Sequence, residues 1–149
     1  MRKLLTTLIL TAGLALGIFT GATPAAQASV SPGNAALNWA ESHALGHWYG
    51  WGGVGPSVFD CSGTVYAGAM HAANITLPRT TYGMIGSWHL VRIPLSQAQR
   101  GDLLFFGSGH VEFATKWWHT SFGAQQSGTR VGWHKWSGWW APTMAFRLR

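Results

Sequence analysis

Residues 59–65 read FDCSGTV and lead into a run of apolar side chains at helical spacing. The stretch places Cys61, the only cysteine of the chain, at the start of a predicted helix. A lone cysteine has no partner for an internal disulfide, so it is an inert core residue, half of an intermolecular bond or a reactive thiol. A polar, glycine-flanked helix start is a poor position for a small buried hydrophobe. The segment therefore predicts a working thiol.

The start of a helix suits a nucleophilic sulfur for two reasons. Unpaired backbone N–H groups and the helix dipole favour negative charge in the first turn, and the same N–H groups can hold an oxyanion. Asp60, just before Cys61, is a natural N-cap that accepts from the N–H groups that follow it. Because the carboxylate of Asp60 opposes ionisation of the neighbouring thiol, a positively charged partner is required.

A histidine usually supplies that charge and acts as base and then as acid. His110 is favoured because residues 107–109 form a glycine-rich turn into a strand at 110–114. Strand alternation places Val111 and Phe113 on one side of this strand and His110 and Glu112 on the other. The alternative is a solvated surface histidine.

A catalytic imidazole is normally held by a polar third group. Gln125 follows a predicted strand at 120–124 that can neighbour the strand of His110, and we favour it. Gln126, His119 and Glu112 are the other candidates, because spacing alone does not choose among them.

The N-terminus has the order of a secretory signal peptide. Arg2 and Lys3 precede an apolar run at 4–19, and the small residues around Gln27 resemble a cleavage site. The apolar run is too short and interrupted for a membrane span. We assign residues 1–28 to the signal and residues 29–149 to a single domain of 121 residues.

The composition is basic and rich in tryptophan. The formal charge of +6 falls to +4 when Arg2 and Lys3 are removed, and the cations are scattered singly. This pattern favours attraction to anionic cell-wall polymers and argues against nucleic acid as a partner. All ten tryptophans lie after residue 28. They are expected to fill the core or its rim, with a stacking surface for sugars or peptide stems as the alternative.

Helical periodicity comes first along the chain and strand patterns follow. Helices are predicted over 35–45, from Cys61 to about Asn74, and from 81 to about Trp88, with a glycine-rich loop at 50–57. Strands are predicted at 103–106, 110–115, 120–124, 128–133 and 144–148. This order predicts an α+β fold with N-terminal helices packed on a C-terminal antiparallel β-sheet.

Five short motifs in order resemble the NlpC-type cell-wall peptidases, which are papain-like enzymes that cut the peptide stems of peptidoglycan. The motifs are GHWYGWGG at 46–53, FDCSGTV at 59–65, LPRTT at 77–81, GDLLFF at 101–106 and GHV at 109–111. The resemblance covers roughly residues 35–115 and thins towards the C-terminus.

The resemblance implies Cys61 as nucleophile, His110 as base and a polar third member on the next strand, for which we carry over Gln125. It implies that Tyr49 helps to bind substrate or a developing oxyanion, with packing against Trp51 as the alternative.

Asp60 and Ser62 match positions that hold the free amine of a stem peptide, with N-capping as the alternative for Asp60. Glu112 stands where relatives carry a small residue. It is expected to sit in solvent, with a raised pKa of His110 as the alternative.

The sequence thus predicts a secreted, wall-associated, monomeric cysteine peptidase that cleaves peptidoglycan stem peptides. The bond implied by the resemblance is the γ-D-glutamyl to diamino-acid link. No cofactor and no membrane insertion are expected. No metal site is expected either, since no histidine pair has ligand spacing beside a carboxylate. The alternatives are a tryptophan-rich cationic wall-binding or membrane-active protein, and a related thiol amidase or acyltransferase that acts as a toxin.

Overall fold

The structure is a computed structural model that describes residues 30–149. The predicted signal peptide, residues 1–28, lies outside the described residues. Within residues 30–149, no helix is both long and apolar enough to span a bilayer. The helices are α1 (Pro32–His43), α2 (Cys61–Ala73) and α3 (Thr81–Ile85), and a short 3-10 turn spans Leu95–Gln97. The strands are β1 (Trp48–Tyr49), β2 (Val58–Phe59), β3 (Leu90–Ile93), β4 (Leu103–Phe106), β5 (His110–Ala114), β6 (Thr120–Gly123), β7 (Gly132–Lys135) and β8 (Met144–Leu148).

Capping residues fix the two long helices. The hydroxyl of Ser31 accepts from the backbone N–H of Asn34, and Pro32 occupies the first turn of α1. A proline is tolerated there because its missing N–H would be unpaired in any case. The helix therefore begins three residues before the predicted start at 35. The second helix matches its prediction and is followed by the C-cap residue Asn74, which adopts a left-handed conformation (φ 54°).

The predicted third helix is too long. The segment forms only α3, capped by Thr80 and followed by Gly86, and the chain then enters a strand at Leu90. This strand, β3, was not predicted, because its four residues carry Arg92 and lie next to a proline. It is an edge strand held by the last strand, β8.

The main sheet has six strands in the order β3-β8-β4-β5-β6-β7, and each neighbouring pair is antiparallel. Four of the five predicted strands lie within a residue of their expected positions. The exception is β7, predicted at 128–133, because Gly128 has a positive φ of 83° and Thr129 bonds back to Gln126 in a turn. The short strands β1 and β2 form a separate parallel pair.

The sheet has two distinct faces. One face packs on α1 and α2 through the main buried cluster, which includes Leu103, Phe105, Val111, Phe113 and Phe122. The other face carries a smaller cluster of Leu104, Phe106, Ala114 and Ala145, with Trp136 and Trp140 packed on it. The predicted alternation along β5 is confirmed, since His110 and Glu112 share this second face through pairing with Phe106 and Leu104.

Candidate active site

Cys61 is the first residue of α2, and its side chain is partly exposed. The parallel pairing of β1 with β2 sets Tyr49 opposite Phe59, two residues before the cysteine. The glycine at position 63 allows the helix to approach the preceding loop closely, because a Cβ there would collide with the carbonyl oxygen of Gly53. The FDCSG motif thus places the thiol at an exposed helix tip.

The Asp60 carboxylate caps this helix and organises the loop around it. It accepts from the backbone N–H of Gly63 at 2.6 Å and of Gly52 at 2.8 Å. The guanidinium of Arg79 donates to it at 2.7 Å and also donates to the hydroxyl of Ser62 at 2.9 Å. The predicted N-cap is therefore confirmed, and the negative charge of Asp60 beside the sulfur is balanced by Arg79.

The imidazole of His110 meets both the sulfur and a carboxylate. The sulfur of Cys61 is close enough to contribute to the raised pKa of this imidazole, and Nε2 lies 3.1 Å from Oε1 of Glu112. Because Nε2 faces Glu112, Nδ1 is the nitrogen left for the sulfur. Burial lowers the pKa of His110, but the hydrogen bonds and negative charges of Cys61 and Glu112 outweigh burial and raise this pKa to about 9. The imidazole is therefore held as a cation at neutral pH.

The expectation that Glu112 sits in solvent is wrong. Its side chain is buried, with 1% of the residue exposed. The hydroxyl of Ser121 donates to its Oε2, and His134 approaches Oε1 at 4.0 Å. Its partner across the β5–β6 pair is Gly123, by the register of the two strands. The buried carboxylate lies over that glycine and reaches His110 from the same strand.

Gln125 does not make the contact expected of a third member. Within residues 30–149, no hydrogen bond joins it to His110, and Nε2 is engaged by Glu112 instead. Gln126 takes part in a turn with Thr129. His119 lies in the connection from β5 to β6, at the end of β5 opposite to His110. The contact with His110 that was expected of Gln125 is therefore made by Glu112, because alternation puts Glu112 on the face of His110 and the neighbouring glycine leaves it room.

Tyr49 lies on the wall of the cavity that contains the sulfur. Burial raises its pKa, the negative charges of Cys61 and Asp60 raise it further, and Arg79 partly opposes them. The phenol is consequently a protonated hydrogen-bond donor at neutral pH. This places a donor beside the thiol, as a role in binding an oxyanion requires.

The cavity at the helix tip has a volume of about 310 Å³. Cys61, Ser62, Tyr49 and Arg79 line it, and Trp51 forms part of its rim with 91% of its surface exposed. Its size is in the range of small-molecule and peptide side-chain sites. A substrate chain can therefore reach the sulfur from solvent. Within residues 30–149, no group of three or more metal-binding side chains is gathered in one place.

We expect the charge on His110 to make stability depend on pH. The folded-state pKa of about 9 exceeds the ordinary value of 6.5, so the folded protein holds this proton more tightly than the unfolded chain. The stabilisation is fully present below pH 6.5 and is lost as the pH rises through about 9. The wild type should have a larger free energy of unfolding than His110→Gln at low pH. This difference should fall by on the order of a few kcal/mol as the pH rises across this range. Urea titrations at several pH values measure it, and a constant difference would contradict the assigned charge.

Gly123 is expected to be necessary for the position of Glu112. A Cβ at position 123 would lie 2.8 Å from Cγ of Glu112. The side chain of Glu112 is buried, so it has little room to move aside. Gly123→Ala should lower the free energy of unfolding by about 1–3 kcal/mol. It should also lower the enzymatic activity, because the carboxylate of Glu112 is displaced. Gly132→Ala is the matched control, because Gly132 pairs with Gly123 in the sheet and has open space around it. Equal behaviour of the two variants would refute this role.

The comparisons with known proteins agree with this geometry. A model of the NlpC/P60 family matches residues 46–122, which contain Cys61, His110 and Glu112. The chain belongs to the NlpC/P60 family. The crystal structure of the NlpC/p60 domain of the peptidoglycan hydrolase SagA superposes with a TM-score of 0.65 at 32% identity, covering 76% of this chain and 96% of that domain. The papain-like α+β fold expected for the family is therefore confirmed.

Two curated members of the NlpC/P60 family illustrate the sequence similarity. The chain is 51% identical over 71 residues to the probable endopeptidase p60 of Listeria monocytogenes, which is 47% of this chain and 14% of that protein. It is 40% identical over 63 residues to murein DD-endopeptidase MepH of Escherichia coli, which is 42% of this chain and 23% of that protein. The chain thus aligns with less than a quarter of each relative.

Two residues of this NlpC/P60 site were missed as site residues. Arg79 sits in the LPRTT segment, which was noted as a motif without a role, and it proves to neutralise Asp60. Glu112 is an alternative for the third member in the sequence analysis, but it is expected there to sit in solvent. The signal that could have placed it was Gly123 within the alternating strand 120–123, since a glycine inside a strand often marks a close approach of another group.

Proposed function

We propose that this chain is a secreted cysteine peptidase that cleaves the peptide stems of peptidoglycan. The observation that carries the proposal is the imidazole of His110, which lies between the sulfur of Cys61 and the buried carboxylate of Glu112. A sulfur, a base and a group that orients the base are the parts that a thiol hydrolase requires.

The charges of this arrangement favour a protonated His110 in the resting state. With a pKa of about 9, the imidazole of His110 carries a proton at neutral pH. A cation in contact with a thiol favours the thiolate, which is the attacking form. Glu112 stabilises the cation from the opposite side and fixes the plane of the ring, so it acts as the third member of the site.

The reaction then proceeds through an acyl-enzyme. The thiolate of Cys61 attacks the carbonyl carbon of the scissile amide, and the negative charge moves to the carbonyl oxygen. The N–H groups of the first turn of α2 and the hydroxyl of Tyr49 stabilise that oxygen. His110 gives its proton to the leaving nitrogen as the C–N bond breaks. A water molecule gives a proton to His110 and attacks the thioester carbonyl; the C–S bond then breaks, the carboxylic acid product leaves, and the thiolate and the protonated His110 are restored.

The lining of the cavity suits a stem peptide with a free amine. Asp60 accepts from Gly52, Gly63, Arg79 and, at 3.4 Å, the hydroxyl of Ser62, which accounts for the about four acceptor positions of a carboxylate. An ammonium group of the substrate would replace the Ser62 hydroxyl, whose contact is the longest of the four. We assign substrate binding to Tyr49, Asp60 and Ser62. As the resemblance implies, the bond is the γ-D-glutamyl to diamino-acid link.

The proposal includes the organisation of the chain. Residues 1–28 would direct export, and residues 29–149 would form one catalytic domain that works as a monomer on the wall. Support comes from the basic, apolar and small-residue order of the N-terminus. The names of the relatives, endopeptidase and murein DD-endopeptidase, agree with a wall substrate.

The test is digestion of purified peptidoglycan with analysis of the products by mass spectrometry. We expect soluble fragments with a new amino terminus on the diamino acid, and their release should stop after treatment with iodoacetamide. Fragments joined to an added amine instead of water would identify an acyltransferase. No release of fragments by the untreated protein would refute the peptidase.

A further inference from the structure

A second cavity lies on the sheet face that is turned away from the helices. It has a volume of about 320 Å³. Leu104 of β4 and Ala114 of β5 contribute to its floor, and Trp117, Trp118 and Trp136 line it as well. We call it the aromatic cavity. None of its lining residues lines the cavity at Cys61.

The lining has a particular chemical character. With His119 counted as neutral, no residue that lines the cavity carries a charge, although the chain as a whole is basic. Beside the indole rings it presents the hydroxyl-bearing residues Ser96, Thr115 and Thr120 and the imidazole of His119. Anionic lipids and nucleic acids are bound through cations. The matching ligand is therefore uncharged, with an apolar face and hydrogen-bonding edges.

The aromatic side chains are exposed yet held in place. Trp118 is 84% exposed and Trp117 is 52% exposed. The ring of Trp118 stacks on His119 with centroids 4.6 Å apart, and His119 lies 4.4 Å from the ring of Trp136. A stacked row of rings loses little further conformational freedom when a flat ligand covers it.

One wall of the aromatic cavity contains an unmatched hydrogen-bond donor. The indole N–H of Trp136 is buried and has no hydrogen-bond partner within residues 30–149. Buried donors without a partner are uncommon and lower stability. Because this N–H is shielded from solvent, Trp136 contributes its ring and not this donor to the surface of the cavity.

We propose that the aromatic cavity binds uncharged pyranose rings, specifically the N-acetylated amino sugars of a cell-wall glycan. A pyranose ring presents C–H groups on its faces, which stack on indole, and hydroxyl and amide groups at its edges, which pair with hydroxyl and imidazole groups. The identity of the polymer rests on the proposed function. The class of ligand rests on the lining alone.

The position of the cavity suits a glycan that carries the peptide substrate. Leu104, in the floor of the cavity, is the partner of Glu112 on the neighbouring strand. Glu112 in turn contacts the imidazole of His110. Ala114 is four residues from His110 along β5, which is about 13 Å at the rise of a strand. A glycan held there would keep its peptide stems near the sulfur and raise their local concentration.

Part of the aromatic cavity lies outside the segment that defines the family. The family match ends at residue 122, whereas Trp136 and Pro142 lie beyond it. The cavity thus combines family strands with a tryptophan-rich C-terminal segment of this chain.

The binding test uses the full chain with Cys61→Ala, so that no turnover occurs, and tetra-N-acetylchitotetraose as the probe. We expect saturable binding by calorimetry, weakened at least about fivefold by Trp118→Ala, since stacking area is lost. Trp88→Ala is the matched control, because Trp88 is also exposed (71%) and lines a different cavity.

A second measurement compares two substrates in the chain that retains Cys61. Trp118→Ala should slow release of fragments from intact wall about fivefold and leave the rate on a soluble stem peptide within about twofold. Absence of chitotetraose binding, or equal affinities of Trp118→Ala and Trp88→Ala, would overturn the proposal. So would Trp118-dependent binding to phosphatidylglycerol vesicles without binding to the sugar. Binding of the sugar by a chain that releases no fragments would refute the peptidase and support the sugar site.

Discussion

Cys61→Ala is expected to abolish release of peptide fragments from purified wall, by a factor on the order of 10⁴ or more. The sulfur forms the bond to the substrate carbonyl, and no other cysteine exists in the chain to replace it. Alanine is a strong helix former and fits the first turn of α2, so the variant should keep its fold. Fragment release is followed by chromatography, and folding by circular dichroism.

The same cysteine offers an independent measurement. Because it is the only one in the chain, the rate of alkylation by iodoacetamide reports on this sulfur alone. His110→Gln should slow alkylation near neutral pH by removing the adjacent cation. His43→Gln is the control, since His43 ends α1 at the surface. Digestion of wall by Cys61→Ala at the wild-type rate would exclude Cys61 as the nucleophile.

Glu112→Gln is expected to lower kcat/KM by about 10²-fold or more at neutral pH. The amide keeps the size of the side chain but removes the negative charge that helps to raise the pKa of His110 to about 9. That pKa should therefore fall, and burial of the ring lowers it further. The alkaline limb of the pH–rate profile, where the imidazolium is lost, should move from about pH 9 to lower pH.

Glu41→Gln is the matched control for this charge removal. Glu41 pairs with Arg100 at 2.6 Å on the outer side of α1, and its loss should leave the pH profile unchanged. Ser121→Ala removes one donor to the Glu112 carboxylate, so a smaller decrease in rate is expected. An unaltered alkaline limb in Glu112→Gln would show that the carboxylate does not set the charge of His110.

The sequence predicts much of the fold because its local signals agree with one another. The cap at Asp60, the apolar spacing of α2, the continuous apolar run of β4 and the alternation of β5 all point to the structure that forms. The errors occur where tertiary contacts, rather than local sequence, determine the secondary structure. The edge strand β3 depends on pairing with β8, and β7 begins late because a turn at Gln126 and Thr129 precedes it.

The candidate site divides in the same way. Cys61 and His110 carry local signals, namely a lone thiol at a helix tip and a histidine after a glycine-rich turn. The partner of His110 has no such signal, because the burial of Glu112 depends on the packing of β6 and on the absence of a side chain at Gly123. A carboxylate between two apolar residues of a strand suggests solvent unless the neighbouring strand is considered.

The location of His110 and Glu112 two residues apart on one strand has a practical consequence. Their mutual geometry is set by the covalent backbone of β5 rather than by the alignment of separate strands. A sequence grafted into the connection at 115–119 should therefore leave this pair in place, provided that β6 still pairs in its present register. For protein engineering, such a graft would exchange the contacts that Trp117, Trp118 and His119 make in the aromatic cavity for new wall-targeting contacts, without rebuilding the catalytic pair.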